Sequence, residues 1–292
     1  MDLIASKGVC FDMPLRRTFL MGLGVSSLLA GTTSGISLGC QTNAWPVDPA
    51  RFDSLLSVLE KIREIGFAGF ETGFRNLQSQ AKHLDSAREK IKSSGLQFFG
   101  VHIFLLQYDE RIHIAPAELC ESVARTGAAL GAQWLILSGA PASTEDELAR
   151  KVAGLHKAGV SARSFGLKLA YHNHDKEFKN SAWEIQRLLR FTDPDLVGCL
   201  LDAGHAFQGG ADVPAFVEEN YRRIIGLHLR DFRGGRQVPL GSGDFPLAQV
   251  AAALRRANWQ GWVLAEEERE DGSKPGESAV APAMSALHKQ FT

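Results

Sequence analysis

From residue 36 onward the chain alternates between short apolar runs and longer stretches of helical period. The apolar runs fall at Ile36–Thr42, Phe67–Glu71, Gln97–His102, Trp134–Ser138, Lys168–His172, Val197–Asp202, Ile224–Arg230 and Trp262–Glu266. Runs of this length, bounded by polar clusters, predict buried strands. Between them, helices are predicted over Pro49–Ile65, Leu77–Ser94, Ala115–Gly131, Glu145–Phe165, Ala182–Phe191, Val213–Tyr221 and Leu247–Ala257, with a closing helix over Ala279–Gln290. Thr144 with Glu147, and Ser181 with Glu184, have the spacing of capping boxes, in which hydroxyl and carboxylate satisfy orphan amides at a helix start. Gly66, Gly95, Gly131, Gly166 and Gly261 stand between helical runs and strands, where helix stops belong. Strand–helix alternation with short connections implies right-handed crossovers and a parallel sheet. Eight such units predict an α/β chain folded as one (β/α)8 TIM barrel over residues 36–292. An open doubly wound sheet is the rival, but no GxGxxG follows the first strand.

Composition narrows the function classes. The 292 residues carry a formal net charge of −1, with no basic excess to attract a phosphate backbone, so nucleic acid is not an expected partner. Cys10, Cys40, Cys120 and Cys199 show no paired spacing, which supports neither a zinc knuckle nor a disulfide framework. Residues 1–35 differ from the rest. "MPLRRTFLMGLGVSSLLAGTTSG" places Arg16-Arg17 before a short apolar stretch and then small residues, the layout of a twin-arginine signal segment. The expected location is therefore periplasmic or secreted. The apolar stretch is too short and too rich in Gly and Ser to span a bilayer, so no stable membrane association is expected after cleavage. Oligomeric state is left open.

The candidate chemistry gathers at one end of the strands. Strand two ends in Glu71, strand three in His102, strand five in His172-Asn173-His174 and strand six in Asp202, with His205 just beyond. Strand seven carries His228 and Arg230, and strand eight ends in Glu266-Glu267-Glu268. In such barrels the C-terminal strand ends form the active-site mouth. A single strand-end histidine is more often a satisfied structural group than a ligand. A converging set is different, because unpaired charges in a barrel mouth are costly to desolvate. Asp202, His228 and Glu266 come from three consecutive strands and mix oxygen with nitrogen donors, which suits a divalent ion such as Mn, Co, Mg or Zn. His228 and Arg230 share strand parity, as do Ala170, His172 and His174, so each set can face the mouth.

The stretches "GFAGFETGF", "FFGVHIF", "YHNHDKEF", "GCLLDAGH", "IIGLHLRDF", "PLGSGDF" and "GWVLAEEE" together resemble the xylose isomerase-like TIM-barrel superfamily. That group includes sugar phosphate isomerases and epimerases, inosose dehydratases, hydroxypyruvate isomerases and barrel-type AP endonucleases. The resemblance implies metal ligands at Asp202, His228 and Glu266, with His172 where many epimerases hold a fourth, glutamate ligand. It implies substrate contacts from Glu71, His102, His205 and Arg230, and catalytic proton transfer by Glu266, His172 or His174. The implied activity is a divalent-metal-dependent isomerase or epimerase acting on a small-molecule sugar or keto-sugar through proton abstraction and an enediolate. The His-x-His pattern on strand five also resembles the inosose dehydratase-like branches, so a lyase is the alternative, and a non-catalytic sugar-binding barrel the second alternative. Trp45, Phe74 and Phe104 are candidate apolar walls.

Overall fold

A computed structural model describes residues 35–269 and 272–292. The signal segment expected over residues 1–35 lies outside the described residues except for Gly35. Among the described residues no helix is long and apolar enough to cross a membrane.

Eight parallel strands close into a barrel: β1 (Ile36–Gln41), β2 (Gly69–Gly73), β3 (Gln97–Ile103), β4 (Trp134–Ser138), β5 (Lys168–His172), β6 (Val197–Asp202), β7 (Ile224–Leu229) and β10 (Gly261–Ala265). Neighbours in chain order pair with one another, and β10 pairs with both β7 and β1. The barrel is ringed by α1 (Phe52–Ile65), α2 (Leu84–Ser93), α3 (Ala117–Leu130), α4 (Glu145–Ser164), α5 (Lys179–Phe191), α6 (Ala203–Gln208), α7 (Val213–Asn220), α8 (Leu247–Arg256) and α9 (Glu277–Phe291). This is the single-domain α/β barrel that the alternation predicts.

Pleating divides each strand between two cores. Outward residues such as Leu135, Leu137, Leu169, Tyr171, Leu227 and Leu229 join the large apolar layer under the helices. Inward residues Phe99, Trp134, Ile136, Ala170, Leu200 and Leu264 form a separate apolar plug inside the barrel. The plug makes the lumen a packed core rather than a pore.

Several local expectations change. Thr144 caps α4, and its hydroxyl accepts the Glu147 N–H while Glu147 reaches back. Ser181 caps nothing: Asn180, Ser181 and Ala182 all take left-handed φ of 52°, 58° and 59°. Glu184 is drawn elsewhere, because the fully buried Lys151 ammonium lies 2.5 Å from its carboxylate and needs a counter-charge more than the helix end does. Gly66 and Gly131 do end helices in left-handed geometry, with φ of 107° and 100°. Gly261 instead opens β10, while α8 stops at Ala257 with Asn258 left-handed beyond it. The second helix starts late, since residues 74–80 form a 3-10 segment.

Two elements over the mouth had no sequence signal strong enough to place them. One is α6, capped by the Asp202 carboxylate, which accepts the His205 N–H at 2.8 Å. The other is an antiparallel hairpin of β8 (Asp231–Arg233) and β9 (Arg236–Val238), turning on Gly234 and Gly235. Asp231 anchors the loop that follows: its buried carboxylate accepts the N–H groups of Phe232, Gly241, Gly243 and Phe245. The "PLGSGDF" stretch is thus wound around one acid.

Candidate metal centre

The "HNH" at the end of β5 divides into three tasks. His172 is the last strand residue and points inward, buried at 2% exposure. Asn173 clamps the neighbouring strand: its amide oxygen accepts the Asp202 N–H at 2.9 Å, and its amide nitrogen donates to the Asp202 carbonyl at 3.0 Å. His174 lies past the strand, with its ring 5.4 Å from His172 and 5.1 Å from His205.

His172, Asp202, His228 and Glu266 converge so that one donor atom from each lies within 4.8 Å of the others, and all four are buried. His172 Nε2 is 3.6 Å from Asp202 Oδ2, 3.6 Å from Glu266 Oε2 and 3.0 Å from His228 Nδ1. His228 Nδ1 also contacts Glu266 Oε2 directly. These separations match those between ligands of one small cation. Asp202 Oδ2, fully buried, makes no aligned hydrogen bond. A buried carboxylate oxygen with an ion-pair partner in Arg230 but no hydrogen bond, set among imidazoles and a second carboxylate, is the pattern a divalent ion would complete. The two-nitrogen, two-oxygen set fits Zn, Mn or Co well and lacks the thiolates of a structural zinc site.

Arg230 runs into the same cluster. Its Nε lies 2.9 Å from Asp202 Oδ2 and its Nη2 2.7 Å from Glu266 Oε2. Gly204 makes this possible: a Cβ there would sit 2.3 Å from Arg230 Cγ. The electrostatics follow from burial set against neighbouring charge. Burial favours neutral Asp202 and Glu266, yet the Arg230 guanidinium together with the neighbouring histidines outweighs it and holds both carboxyls below their ordinary values. For His228, burial is outweighed by Glu71 and Glu266, which raise it to about 10. For His172, burial outweighs the support of Glu266 and takes it down to about 3, leaving a neutral imidazole suited to ligation. Burial also lowers His174.

Glu71 and His102 lie deeper than the sequence suggests, because β2 and β3 do not stop at them but continue to Gly73 and Ile103. Glu71 is 0% and His102 1% exposed. Glu71 Oε2 meets His228 Nε2 at 2.7 Å, Glu71 Oε1 meets His102 Nδ1 at 2.8 Å, and His102 Nε2 meets Ser138 Oγ at 2.8 Å. Every polar atom of the pair is taken, so the substrate contact expected from sequence is not what their geometry provides. They sit beneath the cluster and support it. His205 lies on α6, its Nε2 3.9 Å from Asp202 Oδ2. Phe104 packs against His102 at 4.3 Å between ring centres, whereas Phe74 lines a cavity of about 110 Å³ with Leu77, Val101 and Val123 on the barrel flank. Trp45 is buried against the apolar layer.

Sequence reasoning passed over Asn43, whose amide approaches Glu266 Oε1 at 3.4 Å, and Ser138 at the end of β4. Ser138 obeyed the same strand-end rule as the histidines, but an uncharged hydroxyl drew no notice.

Comparisons with known proteins agree with the fold. The family described as xylose isomerase-like TIM barrel matches residues 59–290. An inosose dehydratase from Bacillus licheniformis is 28% identical over 265 residues, covering 78% of this chain and 86% of that protein. Other inosose dehydratases match over less: the chain spans about half of their length, 47% for that of Geobacillus kaustophilus and 54% for that of Clostridium tetani. Among solved structures, an L-ribulose 3-epimerase superposes with a TM-score of 0.75 at 19% identity, covering 88% of this chain and 94% of that one. The IOLI protein, solved with a binding zinc atom, superposes with a TM-score of 0.71 at 17% identity, covering 87% and 98%.

Proposed function

This chain belongs to the xylose isomerase-like TIM-barrel family, and we propose that it is a divalent-metal-dependent lyase that removes water from a keto-sugar or keto-polyol. The observation that carries this reading is the pair His174 and His205 on the open side of the cluster. Their rings are 5.1 Å apart, and each Nδ1 lacks a hydrogen-bond partner. An elimination needs a base for the C–H beside a carbonyl and an acid for the departing hydroxyl, and two imidazoles on one face can divide that work. Sequence kinship to inosose dehydratases supports the same choice.

The residues take the following roles. His172, Asp202, His228 and Glu266 would hold the ion. Once bound, the ion would polarise a substrate carbonyl and acidify the adjacent C–H. His174, kept neutral by burial, accepts that proton. His205 donates a proton to the β-hydroxyl, whose C–O bond breaks to release water as the new C=C bond forms. Arg230, fixed between Asp202 and Glu266, offsets the negative charge that builds on the carbonyl oxygen.

Isomerisation or epimerisation, the expectation from sequence, is the second reading. It is favoured by Glu266 Oε1, which meets only the Asn43 amide and so could serve as a base from another side. Turnover of a panel of keto-sugars and keto-polyols in deuterium oxide separates the readings. Elimination yields a product lighter by one water. Isomerisation yields a product of unchanged skeleton with deuterium beside the carbonyl. His174→Ala should lower turnover by about 10²–10⁴ while metal content stays unchanged. A sugar that binds yet neither exchanges nor changes would favour the non-catalytic barrel.

A further inference from the structure

Beneath the metal cluster runs a chain of side-chain contacts that joins its two histidines through the barrel interior. It starts at His228 Nε2, passes to Glu71 Oε2 at 2.7 Å, leaves from Glu71 Oε1 to His102 Nδ1 at 2.8 Å, continues from His102 Nε2 to Ser138 Oγ at 2.8 Å, and closes on His172 Nδ1 at 3.4 Å. All five side chains are buried, with at most 2% exposure, so water cannot substitute for a missing partner.

The direction of every hydrogen bond in this chain follows from its one carboxylate. An ionised carboxylate only accepts, so the nitrogens facing Glu71, His228 Nε2 and His102 Nδ1, must both carry hydrogen. A neutral imidazole has one donor and one acceptor, so His102 Nε2 accepts and Ser138 Oγ–H donates to it. The serine oxygen is then left as an acceptor toward His172 Nδ1, which must carry hydrogen. These assignments leave His172 Nε2 bare toward Asp202 and Glu266, whereas His228 Nδ1 touches the Glu266 carboxylate and so carries a hydrogen in the metal-free cluster, one that a bound ion would displace.

We propose that Glu71 is a positioning residue that fixes the proton positions of both cluster histidines, His228 directly and His172 through His102 and Ser138. The proposal deepens the metal-site reading and rests on it for its purpose, although the proton assignments can be read without any ion. When an ion displaces the His228 Nδ1 proton, one buried acid would thereby hold two imidazole lone pairs toward the same point in space. Ligand histidines commonly depend on an outer partner for tautomer and aim, and loss of that partner typically weakens metal binding by about 10–100-fold. Here a single carboxylate serves two ligands on opposite sides of the cluster, one of them across two intervening side chains.

Histidine ¹⁵N–¹H spectra of the full chain, recorded metal-free and after adding zinc(II), test this together with zinc titration of the wild type, Ser138→Ala and Glu71→Gln. With zinc bound, the expected wild-type pattern is His102 and His172 protonated on Nδ1 and His228 on Nε2. Ser138→Ala should cut only the His172 branch. Zinc affinity should fall about 10–100-fold, His172 should lose its single tautomer, and His102, still held by Glu71, and His228 should be unchanged. Glu71→Gln should disturb His228 and His102 together. His102 protonated on Nε2 in the wild type, or Ser138→Ala spectra and affinity equal to wild type, would overturn the proposal. If the wild type takes up no zinc, the metal reading falls, and the metal-free spectra still decide the relay: Nδ1–H on His102 and His172 supports it, and Nε2–H on either overturns it. Should Glu71→Gln fail to fold, Ser138→Ala and the wild-type spectra remain sufficient.

Discussion

The barrel lumen contains two layers built from the same strands, and they are chemical opposites. The lower layer is apolar: Ile136 on β4, Ala170 on β5, Leu200 on β6 and Leu264 on β10 close around Phe99 and Trp134. Two residues further along those same strands stand Ser138, His172, Asp202 and Glu266, and on β7 the step from Gly226 leads to His228. Residues two apart on a strand share a face, so about 7 Å of chain turns a hydrocarbon plug into a cluster of charges. Both layers are equally dry. They differ in what burial demands. The plug needs only shape, whereas the upper layer needs every charge to find a partner, and the ion pairs around Arg230 and His228 supply those partners. The plug is also what keeps the upper layer dry from below, and the low-dielectric surroundings strengthen the electrostatics of the site.

The largest way to break this division of labour is to empty the plug. Phe99 stacks on Trp262 at 4.9 Å and meets Trp134 edge-on at 5.7 Å. Phe99→Ala should cost about 3–5 kcal/mol in denaturant unfolding, through lost transfer energy and a cavity that this tight lumen cannot collapse. Zinc stoichiometry of the folded variant should remain that of the wild type. A variant that kept full stability but lost its metal would show that the two layers are not separate in role.

Much of this contrast was legible in the sequence, for a physical reason. Strand period is two, so the alternation of small or apolar residues with histidine and acid at strand ends announced both the barrel and which residues share the mouth. The β4, β5 and β6 boundaries come out as expected, and His172, Asp202, His228, Glu266 and Arg230 do meet. What pattern could not show is depth and direction. The pattern ends strands at Glu71 and His102, but β2 runs on to Gly73 and β3 to Ile103, and both side chains lie under the cluster with all polar atoms engaged. Ser138, Asn43 and Asn173 matter through contacts across strands, which no local spacing encodes. Ser181 failed as a cap because a distant buried lysine claimed Glu184.

An intermediate effect sharpens the contrast from the upper layer. Because metal binds the folded cluster and not four scattered residues of an unfolded chain, free ion at about a hundred times its dissociation constant should add ~2.7 kcal/mol of stability. Thermal unfolding with and without zinc(II) or manganese(II) reads this directly. Asp202→Asn should lose the increment, since it removes a charged donor from the centre, while Phe99→Ala should keep it on a lower baseline. An equal shift in Asp202→Asn and the wild type would place the ion elsewhere.

The smallest effect concerns a third kind of buried ionisable group, one with neither a plug's indifference nor a cluster's partners. Cys199 lies on β6 beside Leu200 but faces the apolar layer under the helices, fully buried. Burial pushes its thiol from 9.0 up to about 12, with Arg223 opposing only weakly. The contrast with His228 is instructive: both are desolvated, yet His228 has two carboxylates at hand and Cys199 has no charge close enough to compensate. Below about pH 9 the thiol is protonated in folded and unfolded chains alike and contributes no pH dependence. Between about 9 and 12 the unfolded chain releases the proton first, so stability falls as pH rises through that window. By about pH 10 the loss is about 1.4 kcal/mol for this one thiol. Other groups titrate in the same range, His228 among them, so the measurement is a difference. Unfolding free energies at about pH 8 and about pH 10 are compared for wild type and Cys199→Ala. The variant starts lower because of its cavity, but it should lose about 1.4 kcal/mol less on going alkaline. If both chains lose the same amount, Cys199 ionises as freely in the fold as out of it, and the layer under the helices is not as dry as the lumen it encloses.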